Sequence, residues 1–276
     1  KLTDELRSTV GWNCPITIDQ EGGRIARLRA PEWPEFLPAR QYGEKVECGE
    51  GDACLDADMG ALARMLTEIG IDTNCAPVCD VLFPETHDII GDRAYSTKAE
   101  VVAEAAAATC RAFIREGVQP IIKHIPGHGR ATADSHLDLP VVNASLDELK
   151  ATDFHPFRYL SSQSFGPSLW GMTAHILFSQ IDPDLPATLS KPFMDDIIRG
   201  WMGFDGLLMS DDLDMKALDK YGSLTEKANL SLQAGCDVAL YCWAKMQDME
   251  KLAADLPPLS ARGWARWEKS VSFHVE

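Results

Sequence analysis

Six short runs of apolar and β-branched residues recur along the chain, at 15–19, 72–81, 120–124, 168–175, 206–211 and 237–241, each with the makeup of a buried strand. Between them lie segments with helical spacing at 53–69, 98–116, 146–160, 191–201 and 224–234. Gly70, Gly117 and Gly235 stand where helices close, and Ser145, Ser190 and Ser223 stand where they begin. Alternation of strand and helix predicts a parallel sheet covered by helices. The ends of the strand runs are polar: Asp19, Asp80, Lys123 with His124, His175, and Asp211 with Asp212. Many strands thus deliver ionisable groups to one face, which is the pattern of a closed barrel. An open doubly wound sheet would gather its contacts at one switch point beside a glycine-rich phosphate turn, and no such turn occurs. The expectation is an α/β fold, a TIM-type (β/α)8-like barrel forming one domain over 1–276. It counts about six βα units against the eight of a full barrel, and a helix-like 1–10 precedes the first visible strand, so the barrel is expected to lack its first strand.

Composition narrows the class of protein. With 276 residues, 45% of them hydrophobic, the chain has enough apolar content for a sizeable core, which excludes a disordered protein. Lys plus Arg number 26 against 42 Asp plus Glu, a formal charge of −16 that disfavours nucleic acid and anionic membranes as partners. No run approaches the roughly 20 apolar residues of a membrane helix, and the start lacks a basic-then-apolar signal, so a cytoplasmic location is expected. The eight cysteines, without a Cys-x-x-Cys pair, read as buried reduced thiols. Zinc at Cys75 and Cys79 is the weaker alternative.

Three motifs carry candidate chemistry. The first runs from Lys123-His124-Ile125-Pro126-Gly127-His128-Gly129 to Asp134-Ser135-His136, with three histidines after a strand. Its small residues Gly127, Gly129, Ala131 and Ala133 suit a loop that moves over substrate or approaches it closely. Asp134 and His136 are two apart, so an extended backbone would point both to one side as an acid/base dyad. A structural Asp-His pair is the alternative. The second motif, Phe204 to Met215, ends a strand in Asp211-Asp212. Adjacent strand residues face opposite ways, so one carboxylate serves as candidate nucleophile and the other caps or braces, and spacing alone leaves the choice open. The third, Ile18-Asp19-Gln20-Glu21-Gly22-Gly23-Arg24-Ile25-Ala26-Arg27, combines acids and arginines at a turn, as polyol binding or a simple salt bridge would. Arg93 alone reads as a surface residue. Trp12 and Trp33 read as core residues before sugar-stacking ones.

In order and spacing these motifs resemble family 3 glycoside hydrolases, in particular the single-domain β-N-acetylhexosaminidases of bacterial peptidoglycan recycling. The similarity covers about residues 11 to 243. It implies a retaining exo-glycosidase without metal or other cofactor, with Asp211 as nucleophile, His136 as acid/base and Asp134 as its partner. It also implies that Asp19, Arg27, Arg93, Lys123 and His124 bind a terminal N-acetylglucosamine of muropeptide fragments. The chain departs from the family by lacking the usual segment before Lys1. The rivals are a β-glucosidase or β-xylosidase on the same residues, a metal hydrolase built on His124, His128, His136 and Asp134, and a non-catalytic sugar-binding barrel.

Overall fold

The computed structural model describes residues 1–243 and 245–273. Six strands form one parallel sheet: β1 (Thr17–Ile18), β2 (Thr73–Asn74), β3 (Gln119–Ile125), β5 (Trp170–Thr173), β7 (Leu207–Asp212) and β8 (Val238–Leu240), hydrogen-bonded in that order. These are the six apolar runs of the sequence. A separate parallel pair, β4 (Val141–Val142) with β6 (Leu177–Phe178), was not foreseen, because neither segment lies within one of those six runs. The register sets Thr17 beside Thr73 and Gln119, then Ile121 beside Trp170 and Leu207.

Strand alternation sorts the side chains into two layers. Cys75, Ile121, Trp170, Met172, Leu207 and Met209 pack together on the inner face of the curl. Ile122 and Leu208 face outward into the larger core shared with the helices. On that side α3 (Gly51–Ile69) packs on α4 (Ala99–Arg115), whose buried alanines at 103 and 105–108 permit close approach. Gly70 ends α3 in the left-handed region at φ +86°, as a helix-closing glycine should. Ser145 and Ser223 head α5 (Leu146–Ala151) and α7 (Leu224–Ala234) with full capping boxes, and Ser190 Oγ accepts the Phe193 amide.

Two expected helices differ. The 146–160 segment splits into α5 and α6 (His155–Ser161), because buried Asp153 turns toward Arg130 and Pro156 restarts the helix. The 191–201 segment is π-helical over Phe193–Trp201, which an apolar stripe cannot distinguish from an α-helix. Three helices had no expectation: α2 (Ala39–Glu47), α8 (Met246–Asp255) and α9 (Ala261–Phe273), preceded in the chain by α1 (Leu2–Val10).

Among the described residues β1 and β8 are the edges of the sheet, which stays open between them. A groove of about 430 Å³ on this side is lined by Trp12, Thr17, Trp170, Val238, Trp264 and Trp267. Trp267 of α9 packs 5.2 Å from Trp170, whose indole donates to Ser270 Oγ at 3.0 Å. Trp12 is 49% exposed, contrary to a core role, because its ring lies on the rim of this groove against Trp267. Trp33 packs on the core. The cysteines are all free, but only Cys75, Cys79, Cys110 and Cys236 are buried; Cys48 and Cys242 lie on loops and are exposed. Cys75 and Cys79 belong to different layers, inner and outer.

Candidate active site

At the end of β1 the alternation continues into the turn, so Asp19 and Glu21 share a face and Gln20 points away. Asn74 pins the Gln20 backbone on both sides, through its Oδ1 at 3.0 Å and its Nδ2 at 2.8 Å. Gln20 Oε1 in turn accepts the amides of Arg27 and Leu28. The turn closes at Gly22, where φ is +101° and a Cβ would strike the Leu37 carbonyl.

Lys123, almost fully buried on β3, reaches Asp19 Oδ1 at 3.1 Å and Glu21 Oε1 at 2.6 Å. Glu21 also takes a fork from Arg93, at 2.9 Å from Nε and 2.8 Å from Nη2. Arg27, largely exposed, caps the other Asp19 oxygen at 3.1 Å. Burial opposes the charged form of Asp19, yet Lys123 and Arg27 hold its carboxyl at about 2. Glu21 is likewise lowered against burial by Lys123 and Arg93, and both cations are raised despite burial by the acids between them. Arg93 is therefore no surface residue. Glu21, which the sequence reading left without a role, is the carboxylate that joins Arg93 to Lys123; its i, i+2 spacing from Asp19 was the available signal.

His124 follows Lys123 and is oriented by Asp80, whose Oδ2 lies 2.7 Å from His124 Nδ1. Asp80 is fully buried, and its other oxygen accepts the amides of His124 and His128. Burial works against its charge, but His124 and these donors keep its pKa lowered. Gly127 and Gly129 serve packing rather than movement: a Cβ on Gly129 would overlap the Val81 backbone, and Gly127, at φ +136°, abuts Asp153. Residues 121–129 are buried throughout, and only 132–138 turns outward, with Ser135 its one buried residue.

Strand β7 resolves the two adjacent aspartates. Leu207 and Met209 face inward and Leu208 outward; the pairing with β8 shifts between Met209 and Asp212, and past that shift Asp211 is the carboxylate close to His124, His175 and Lys123. Asp212 Oδ1 accepts the amides of Asp214 and Cys242, each at 3.2 Å, and its carbonyl lies 3.0 Å from His175 Nε2. Asp211 accepts the Asp212 amide at 2.8 Å, its one hydrogen bond among the described residues. Burial raises its pKa, but His124, His175, that amide and Lys123 together lower it, so it stays ionised. Asp134 and His136 do meet, Oδ1 to Nδ1 at 2.8 Å, though through a tight turn rather than an extended strand. The Leu137 and Asp138 amides fold back on the Asp134 carbonyl, and Asp134 Oδ1 also accepts the His136 amide. His136 is 58% exposed, with Nε2 facing away from its partner.

The residues of the metal alternative do not gather into a ligand set. His124 Nδ1 and His128 Nε2 are engaged with Asp80 and Ser135, and His136 lies on the outer turn. Among the described residues no cluster of three or more His, Cys, Asp or Glu could hold a metal ion.

A curled parallel sheet with its acids, lysine and imidazoles gathered at the strand ends defines a TIM-type barrel enzyme. Residues 2–261 match the glycosyl hydrolase family 3 N terminal domain, and the chain belongs to glycosyl hydrolase family 3. It is 34% identical over 93% of its length to the Beta-hexosaminidase of Idiomarina loihiensis, and 38% identical over 87% to that of Alkalilimnicola ehrlichii. It spans 76% and 68% of those two relatives, and 64% of the Nitrosomonas eutropha one. Among solved structures, NagZ from Neisseria gonorrhoeae in complex with N-trifluoroacetyl-D-glucosamine superposes with a TM-score of 0.87 at 31% identity, over 98% of this chain and 77% of that one.

Proposed function

We propose that this chain is a single catalytic domain, a retaining exo-glycosidase that removes terminal non-reducing β-linked N-acetylglucosamine from peptidoglycan fragments in the cytoplasm. The observation that carries the reading is Asp211: an ionised carboxylate close to His124 and Lys123, with one oxygen that has no donor among the described residues. Asp19, Arg27, Arg93, Lys123 and His124 supply charge-assisted donors and acceptors to the sugar hydroxyls and the acetamido group.

In the first step Asp211 attacks the anomeric carbon and forms a glycosyl ester, while His136 Nε2 gives its proton to the departing oxygen. Asp134 holds the Nδ1–H and stabilises the imidazolium before transfer. In the second step Nε2 takes a proton from water, the hydroxide oxygen attacks the same carbon, and Asp211 leaves as carboxylate, giving net retention. The relatives named Beta-hexosaminidase and the N-trifluoroacetyl-D-glucosamine in the NagZ structure support the N-acetyl specificity over a β-glucoside or β-xyloside.

The test compares an aryl β-N-acetylglucosaminide with the matching β-glucoside. Wild type should cleave the N-acetyl substrate preferentially, with chelator present, and folded Asp211→Ala should lose at least about a thousandfold in kcat. Preference for the β-glucoside would move the specificity, and binding without turnover would favour a sugar-binding barrel.

A further inference from the structure

His128 has no part in the chemistry above, yet it is among the most constrained side chains at the rim. It is 3% exposed. Its amide donates to Asp80 at 2.7 Å, its Nε2 lies 3.1 Å from Ser135 Oγ, and its Nδ1 has no partner among the described residues. Burial, followed by the neighbouring His124, pushes its pKa down to about 4, so the ring is neutral at ordinary pH.

Ser135 sits between the two members of the proposed acid/base dyad, and it alone is buried between Thr132 and Leu139. Its carbonyl accepts the Ala217 amide at 3.2 Å, in the segment Lys216–Tyr221 that follows β7. The outward turn is therefore tied at one residue to two places: the floor beneath His124, through His128 and Asp80, and the segment beyond the strand that bears Asp211. Its remaining internal bonds, from the amides of His136, Leu137 and Asp138 to Asp134, shape the turn without fixing it to the rim.

We propose that His128 and Ser135 form a latch that holds the Asp134–His136 turn against the rim and so act as positioning residues for His136. The inference rests on the glycosidase reading. It adds that the carboxylate of Asp80, which orients the sugar-binding His124, also fixes the latch, so the sugar end and the proton-transfer end of the site share one hydrogen-bonded chain. A neutral imidazole carries a single N–H. Placing it on Nε2 lets it donate to Ser135 Oγ and leaves a bare lone pair at Nδ1, which is less costly than a buried unpaired donor.

Ser135→Ala removes the hydroxyl and keeps the turn backbone; His128→Phe removes the other half. Each should lower kcat/KM for a phenyl β-N-acetylglucosaminide about tenfold to a hundredfold. The dinitrophenyl glycoside, whose leaving group departs without a proton, should lose less than about threefold. The double variant should be no worse than the weaker single one, since both remove the same contact. Hydrogen exchange provides a readout independent of turnover: the amides of His136, Leu137 and Asp138 should exchange faster in Ser135→Ala. Equal losses on both glycosides, additive losses in the double variant, or unchanged exchange in Ser135→Ala would overturn the latch. Should His128→Phe not fold, Ser135→Ala decides alone. Failure of wild type on both glycosides would instead refute the glycosidase reading, with the exchange result still standing for or against the latch.

Discussion

At Asp211 and Asp212 two identical side chains one bond apart receive opposite duties from the strand that carries them. Asp212 is consumed by the Asp214 and Cys242 amides, and Asp211 is left with charge and an open oxygen. Spacing alone could not make that choice; the end of β7 did, past its register shift against β8, by placing Asp211 close to His124, His175 and Lys123. At Asp19 the same kind of environment makes a prediction about pH. Its folded pKa of about 2 lies below the ordinary 3.8, so ionised Asp19 stabilises the fold at neutral pH, and that contribution is lost as pH falls from about 4 through about 2. Its side chain is 37% exposed, and solvent screening reduces the contribution to about 1 kcal/mol. Asp19→Asn should accordingly unfold at lower temperature than wild type at pH 7, with the gap closing toward pH 2.5. A gap independent of pH would show that the Lys123 and Arg27 contacts do not stabilise through charge. Among the site residues, Asp134 and His136 were legible because their contact is local. Glu21 with Arg93 was not, since 72 positions separate them and no periodicity marks the pair.

Elements converge most heavily on Asp237, where β8 begins. Its carboxylate accepts the Leu208 amide of β7 at 3.0 Å, Arg199 of the π-helical segment at 3.1 Å and Arg266 of α9 at 2.9 Å. Burial, with Arg266 close by, already pulls the Arg199 pKa down to about 10. Asp237→Ala would leave the Arg199 guanidinium without its acid and Arg266 with only Asp205, 3.5 Å away, and should cost about 3–5 kcal/mol in denaturant unfolding. Lys191→Ala, which removes an exposed pair with Asp195, should cost less than about 0.5 kcal/mol. Similar losses for both would contradict the bracing role of Asp237. The positions of the six sheet strands were readable because strands buried on both faces are continuous apolar runs. Their lengths were not: the 72–81 run is a strand only at Thr73–Asn74 and rejoins β3 past Pro77 at a single bridge between Val78 and Lys123. The helix over 146–160 looked continuous because its apolar stripe survives the break at Asp153, whereas α9 went unread although Trp264, Trp267 and Val271 stand at helical spacing.

Across the whole molecule a charge of −16 surrounds a rim where Lys123, Arg27 and Arg93 are matched by Asp19, Glu21 and Asp211, so the site is a locally balanced patch in an acidic protein. The barrel class was legible from the polar strand ends, each contributing to one face. What the chain pattern could not convey is how the outer turn returns to that face, because the His128 to Ser135 contact needs the loop already folded around buried Gly127 and Gly129. It also could not convey that α9 lays Trp267 and Ser270 against Trp170 beside the open edges. The central claim is that Asp211 forms a covalent bond to the sugar, and trapping tests it most directly. Incubation with a slow fluorosugar analogue of N-acetylglucosamine, followed by proteolysis and mass spectrometry, should place one glycosyl group on Asp211 and none on folded Asp211→Ala. A label on Asp212, Asp134 or any other carboxylate, or turnover without a covalent adduct, would contradict the account.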